Sequence, residues 1–78
     1  MDELISILTE LRPGQDFSEA ENFFDQGLLD SLDLTTLVAA LEARYSVFVD
    51  VDEMVPENFR NLTAIRDFLV SKGVAVVA

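Results

Sequence analysis

Apolar residues return every three or four positions in some stretches of this chain and lose that rhythm in others, which separates helices from connections. Leu4, Ile5, Leu8 and Leu11 make the first periodic run. They predict a helix over about residues 3–12, with Asp2 as cap, Glu3 suited to the positive end of its dipole and Pro13-Gly14 as the stop. The period then disappears from Gln15 to Asp30, although Phe17, Phe23, Phe24, Leu28 and Leu29 lie there. That predicts a long ordered loop whose large side chains pack over the end of a bundle. Ser18 with Glu21 three residues later offers the alternative of a short capped helix near Ser18–Phe24.

The clearest period follows. Leu34, Leu37, Val38, Leu41 and Tyr45 form a stripe, Ala39, Ala40 and Ala43 favour helix, and Asp30 is a good N-cap. Val47, Val49 and Val51 then alternate with Phe48, Asp50 and Asp52. With no second strand to pair with, this predicts an extended loop pinned by its valines. Pro56 suits the first turn of a short helix over Pro56–Arg60 with Phe59 turned inward. Thr63 is the expected cap of a last helix with Ile65, Phe68 and Leu69 inside, Lys72 at its negative end and Gly73 as terminator. Together these predict an all-α protein: a small irregular four-helix bundle of three main helices and one short one, with a long first loop. Residues 1–73 form the expected domain and residues 74–78 an apolar C-terminal tail.

Composition limits what such a bundle can do. At 78 residues the chain is near the lower size at which a core supports itself, and with no cysteine no disulfide reinforces it. The absence of both histidine and cysteine removes the usual zinc and transition-metal ligand sets, so no metal site is expected. Fifteen acidic residues against five basic ones give a net charge of −10. This excludes nucleic acid and an anionic membrane surface as partners, and favours partners with basic patches. No segment is long enough to span a bilayer and the N-terminus lacks the pattern of a secretory signal. The expected setting is the cytoplasm and the expected state a monomer.

One stretch stands apart, Gly27-Leu28-Leu29-Asp30-Ser31-Leu32-Asp33. It places a serine at the exposed start of the second helix in a chain without an imidazole to activate it. Ser31 is therefore a poor catalytic nucleophile, no catalytic residue is expected, and the hydroxyl is better suited to receive a group from another enzyme. A helix N-terminus favours a phosphate there, with its unpaired N–H groups and partial positive charge. The carboxylates of Asp30 and Asp33 work against it.

Asn22-Phe23-Phe24-Asp25-Gln26-Gly27-Leu28-Leu29-Asp30-Ser31-Leu32-Asp33 resembles the modification segment of acyl carrier proteins. Leu37 to Tyr45 resembles the rest of their second helix, and Val55 to Ile65 is similar to their third helix and the start of their fourth. The resemblance runs from about Asn22 to Lys72. It implies that Ser31 carries 4′-phosphopantetheine through a phosphodiester, installed from coenzyme A by a phosphopantetheinyl transferase. Asp30 would help position magnesium and the serine in that transfer. Leu32 would contact the transferase and pack at the helix start. The thiol of the arm would hold cargo as a thioester. An acyl- or aminoacyl-activating (adenylating) enzyme would load it, and acyl-transfer or condensing enzymes would use it. The pathway would be fatty-acid-like, polyketide, nonribosomal peptide or otherwise specialised. Asp33, Glu42 and Leu32 are the expected partner-docking residues. In such carriers the core can shelter cargo; here Leu34, Leu37, Val38 and Leu41 are expected to be core first, with a shared pocket role for Leu34 and Val38.

Four positions depart from the family pattern. Thr35-Thr36 replaces a common Val-Glu, Phe48 stands where a polar residue is usual, and Asp50 stands where proline often does. The Leu28-Leu29-Asp30-Ser31-Leu32 form also resembles freestanding aminoacyl and specialised biosynthetic carriers more than the main fatty-acid carrier, and with these departures it points away from a housekeeping fatty-acid role. The alternative function is an acidic, carrier-derived interaction module that acts without the arm. A calcium loop at Asp50-Val51-Asp52-Glu53 is disfavoured because Met54 holds the third ligand position and Val55 the glycine position. An enzyme is least expected, since so small a bundle has little room for a cleft that separates two carboxylate pKa values.

Overall fold

A computed structural model describes residues 2–74. In chain order the helices are α1 (Asp2–Leu11), α2 (Ser31–Tyr45), α3 (Pro56–Phe59) and α4 (Leu62–Ser71), with one 3₁₀ turn at Val51–Glu53 between α2 and α3. Among the described residues there is no strand, and the expected all-α bundle with a long first loop is the fold found. The expected cap role of the Asp2 side chain lies outside the described residues, as do residues 75–78 of the tail.

Helix α1 packs on α2, and α3 on α4. The first pair is antiparallel. Arg12, just past α1, meets Asp30 and Asp33 at the start of α2, while Glu3 near the start of α1 pairs with Arg44 at the end of α2 at 3.4 Å. Leu4, Ile7 and Leu8 are the buried residues of α1, with Ile5 and Leu11 half-buried. Ile7 therefore joins the core, a place the first periodic run did not assign to it. From α2, Leu34, Leu37, Val38 and Leu41 are buried as the stripe predicts, and Tyr45 is half-buried at its end. Burial, with the Glu3 carboxylate beside it, pushes the Tyr45 phenol up to about 12. Tyr45 is the only tyrosine of the chain. Its phenolate absorbance is expected to titrate well above the ordinary value of about 10. A midpoint at the ordinary value would show that the ring is not held against α1.

The long first loop is an ordered cover. Phe17 and Phe23 are buried and meet edge to face with centroids 5.2 Å apart, and Leu29 is buried beyond them. The short helix near Ser18–Phe24 does not form. Side chains there supply the hydrogen bonds that a helix would take from the backbone. Gln26 Oε1 accepts from the N–H groups of Glu21 and Asn22, Asn22 Oδ1 accepts from Phe24 and Asp25, and the Ser18 hydroxyl donates to Asp16. The Phe23 N–H reaches across to the carbonyl of Arg60, so the loop is bound to the end of α3.

The segment after α2 departs from expectation. Val49 is buried and Val47 partly so, but Val51 is exposed and begins the 3₁₀ turn instead of pinning an extended loop. Pro56 starts α3 and Phe59 is buried against Phe68, centroids 5.1 Å apart. The cap of α4 is Asn61, not Thr63: the Asn61 side chain accepts the N–H of Ala64, and Thr63 lies inside the helix. Asparagine caps better than threonine, and its amide also donates to the Glu21 carbonyl at 2.9 Å, 40 residues away. Asn61→Ala is expected to cost about 1–2 kcal/mol in denaturant unfolding. Asn61→Asp, which keeps the cap acceptor and loses only the donor, should cost less, and equal losses would show that the cap contributes nothing.

Helix α4 ends in a Schellman arrangement. The Val74 N–H bonds the carbonyl of Leu69, the Gly73 N–H bonds that of Val70, and Gly73 has φ +88°. Val74 packs partly on the core.

Candidate functional site

Helix α2 begins at Ser31 because Asp30 caps it. Asp30 is extended and its Oδ1 accepts the Asp33 N–H at 3.0 Å. Asp33 Oδ2 returns the bond, accepting the Asp30 N–H at 3.0 Å. This is a capping box built from two aspartates. Leu29 before the cap and Leu34 after it are both buried in the core, in the positions of a hydrophobic staple. Upstream, Leu28 and Leu29 both bond the Phe23 carbonyl through a turn in which Gly27 takes φ +75°, a conformation side chains disfavour. The turn that delivers Ser31 is thus held on both sides by buried leucines and backbone hydrogen bonds.

Ser31 itself is exposed at the first helical position. The N–H groups of Ser31 and Leu32 are among those an α-helix cannot satisfy internally. The hydroxyl stands where the helix dipole is positive and solvent is open. Leu32 beside it is 79% exposed. Its expected packing at the helix start is therefore overturned, because at this point of the turn only Leu34 faces the core.

A third group belongs to the site, one without a local sequence signal. The Arg12 guanidinium lies 2.9 Å (Nε) and 2.7 Å (Nη2) from Asp33 Oδ2, and Nη2 lies 3.5 Å from Asp30 Oδ2. Arg12 holds the Asp33 carboxyl below its ordinary range, chiefly through this hydrogen bond. The carboxylate side chains differ in access: Asp33 is 14% exposed and Asp30 60%. Arg12 carries no signal of this role in the sequence. It is 18 and 21 residues from its partners, and no local pattern signals a contact across a loop of that length.

Of the expected residues, Asp30, Ser31, Leu32 and Asp33 share one helical turn. Glu42 does not join them. It sits about 16 Å further along α2 at the ordinary helical rise, half-buried, accepting the Val49 N–H at 3.0 Å. Both acids expected to dock partners thus have internal hydrogen-bond partners. A surface groove of about 430 Å³ follows the α1–α2 seam, lined by Ile7, Leu11, Leu37 and Ala40 with Glu10 and Arg44 at its sides. Leu34 and Val38, the residues expected to share a pocket role, do not line it.

No cluster of three or more acidic residues able to hold a metal occurs among the described residues. In the former calcium candidate, Glu53 Oε1 is already shared by the Asp50 N–H and the Lys72 ammonium. No helix among the described residues is long and apolar enough to cross a membrane.

An exposed hydroxyl at a helix N-terminus is suited to bear a phosphodiester. Residues 2–69 match the family described as phosphopantetheine attachment site. No curated protein and no solved structure matches the chain significantly. The family's members carry 4′-phosphopantetheine covalently on a serine and act as non-enzymatic carriers that meet transferases and biosynthetic enzymes. With nearly its whole length matched and an open serine at a built helix start, the chain belongs to the phosphopantetheine attachment site family and is a carrier protein.

Proposed function

We propose that Ser31 is the attachment residue and that the protein is an acyl or aminoacyl carrier of a specialised biosynthetic pathway, working in the cytoplasm. The observation that carries this reading is the exposed Ser31 hydroxyl at the first turn of α2, on a turn held by Asp30, Asp33 and Arg12. The serine oxygen forms the new bond to the phosphorus of coenzyme A that bears the pantetheine. The pyrophosphate link breaks, adenosine 3′,5′-bisphosphate leaves, and the serine proton passes to the transferase. Bound there, the arm supplies a thiol that holds cargo as a thioester.

Asp30 is the better placed of the two acids for a role in the transfer, since its side chain is the more open one. Docking is assigned first to Leu32, which offers an apolar contact next to the arm. Thr35, Thr36, Ala39 and Ala43 extend the exposed face of α2. Asp33 and Glu42 contribute less to docking than their charge suggests, because their carboxylates bond within the protein. This weakly charged face supports partners such as an adenylating enzyme in place of those that read an acidic helix.

Incubation with coenzyme A, magnesium and a broad-specificity phosphopantetheinyl transferase tests the proposal. One phosphopantetheine adduct is expected by intact mass, and peptide mapping should place it on Ser31. A protein that keeps its mass would leave the interaction-module reading in its place.

A further inference from the structure

Resting on Ser31 as the attachment residue, we infer that Arg12 is a positioning residue for the attachment reaction: it offsets the carboxylates flanking Ser31 so that an anionic pyrophosphate can approach the hydroxyl. The two aspartates that build the cap are the wrong sign for a phosphate. Asp30 precedes the serine and Asp33 lies two residues after it. Without a counter-charge the turn would present a formal charge of about −2 to coenzyme A, and attachment would add a further negative charge there for good. Arg12 reduces that burden by one unit.

Three of the other four cations pair elsewhere: Arg44 with Glu3, Arg66 with Asp67, and Lys72 with Glu53. Among the described ion pairs, Arg12 alone touches the aspartates of this turn.

The geometry also sorts the two acids. Two guanidinium nitrogens converge on one oxygen of Asp33, and that carboxylate is drawn in toward the end of α1. The contact to Asp30 is longer, 3.5 Å, and leaves Asp30 in solvent. Arg12 thereby fixes the start of α2 against the end of α1, holding in one place the turn that bears the hydroxyl. Such a contact across an 18-residue span closes the first loop at its two ends.

The test compares initial rates of adduct formation by intact mass for wild type, Arg12→Gln, Arg12→Lys and Arg12→Gln/Asp33→Asn. Circular dichroism confirms that each is folded at the assay temperature. Arg12→Gln is expected to load about fivefold more slowly at low ionic strength, with the deficit shrinking in high salt. Arg12→Lys, which keeps the charge and loses the fork, should retain most of the rate. The double variant restores the net charge of the turn, and its asparagine can still accept the Asp30 N–H. It should return to within about twofold of wild type, since charge balance and not the clamp sets the rate. Arg12→Gln loading at the wild-type rate would overturn the inference. So would a double variant as slow as the single one, because a purely mechanical tether cannot be rescued by removing its second half. Failure of wild type to load would instead remove the Ser31 reading on which the inference rests.

Discussion

Ser31→Ala is expected to abolish loading completely while leaving the fold intact. The chain has five serines, Ser6, Ser18, Ser31, Ser46 and Ser71, and all five are exposed, so accessibility alone does not choose among them. Their settings do. Ser6 lies within α1, Ser46 sits past the end of α2 in a left-handed conformation, Ser18 donates to Asp16, and Ser71 donates to the Phe68 carbonyl. Only Ser31 stands at the start of a long helix, where unpaired N–H groups and the dipole favour the product's phosphate. Removing its hydroxyl removes the oxygen that forms the new bond, so no slower route remains. The structural cost is small. The cap acceptor is Asp30, its reciprocal partner is Asp33, and the Ser31 side chain takes part in neither bond. Alanine is also the better helix former, so stability is expected to stay within about 0.5 kcal/mol of wild type. Any adduct on the Ser31→Ala protein, measured by intact mass on a sample shown to be folded, would move the attachment site elsewhere.

Phe23→Ala carries the largest expected loss of stability. Phe23 is fully buried, meets Phe17 edge to face, and lies among the core residues Leu29 and Phe59. Its backbone is also a junction. The N–H bonds the Arg60 carbonyl, and the carbonyl accepts both Leu28 and Leu29 on the way to Ser31. Truncating a buried phenylalanine costs about 3–5 kcal/mol in transfer free energy and cavity together. A domain of this size has a total stability of roughly 4–12 kcal/mol. The substitution is therefore expected to lower the melting temperature by more than about 10 °C. It should also slow loading at temperatures where part of the population is unfolded. Leu32→Ala is the matched control, since Leu32 is in solvent and its loss should cost no more than about 0.5 kcal/mol. A Phe23→Ala protein as stable as that control would mean that the first loop is not part of the core.

The contrast between these residues shows how far the chain could be read without its fold. Helix positions whose neighbours lie three or four residues away were legible, because the period carries the information. The α2 stripe follows from it, and the Asp30 cap, the Pro56-led turn with Phe59 and the Gly73 terminus follow from the end preferences of single residues. The loop phenylalanines were legible as a cover because large apolar side chains without a period still must leave water. Where two candidates competed locally, the outcome turned on remote partners. Asn61 outcompetes Thr63 as cap, and its amide bonds Glu21 across 40 residues. The Ser18–Phe24 segment is not helical, with Asn22 and Gln26 taking over its N–H groups.

The sequence by itself determined that this is an acidic helical bundle with a capped serine at the head of its second helix, since period, capping and charge are properties of neighbours along the chain. Only the tertiary structure decided what surrounds that serine. It turned Leu32 outward, committed Asp33 to Arg12 and Glu42 to the Val49 amide, and placed a cation beside two acids. These are contacts between residues 7 to 21 positions apart, fixed by how the helices and loops meet and by no local pattern.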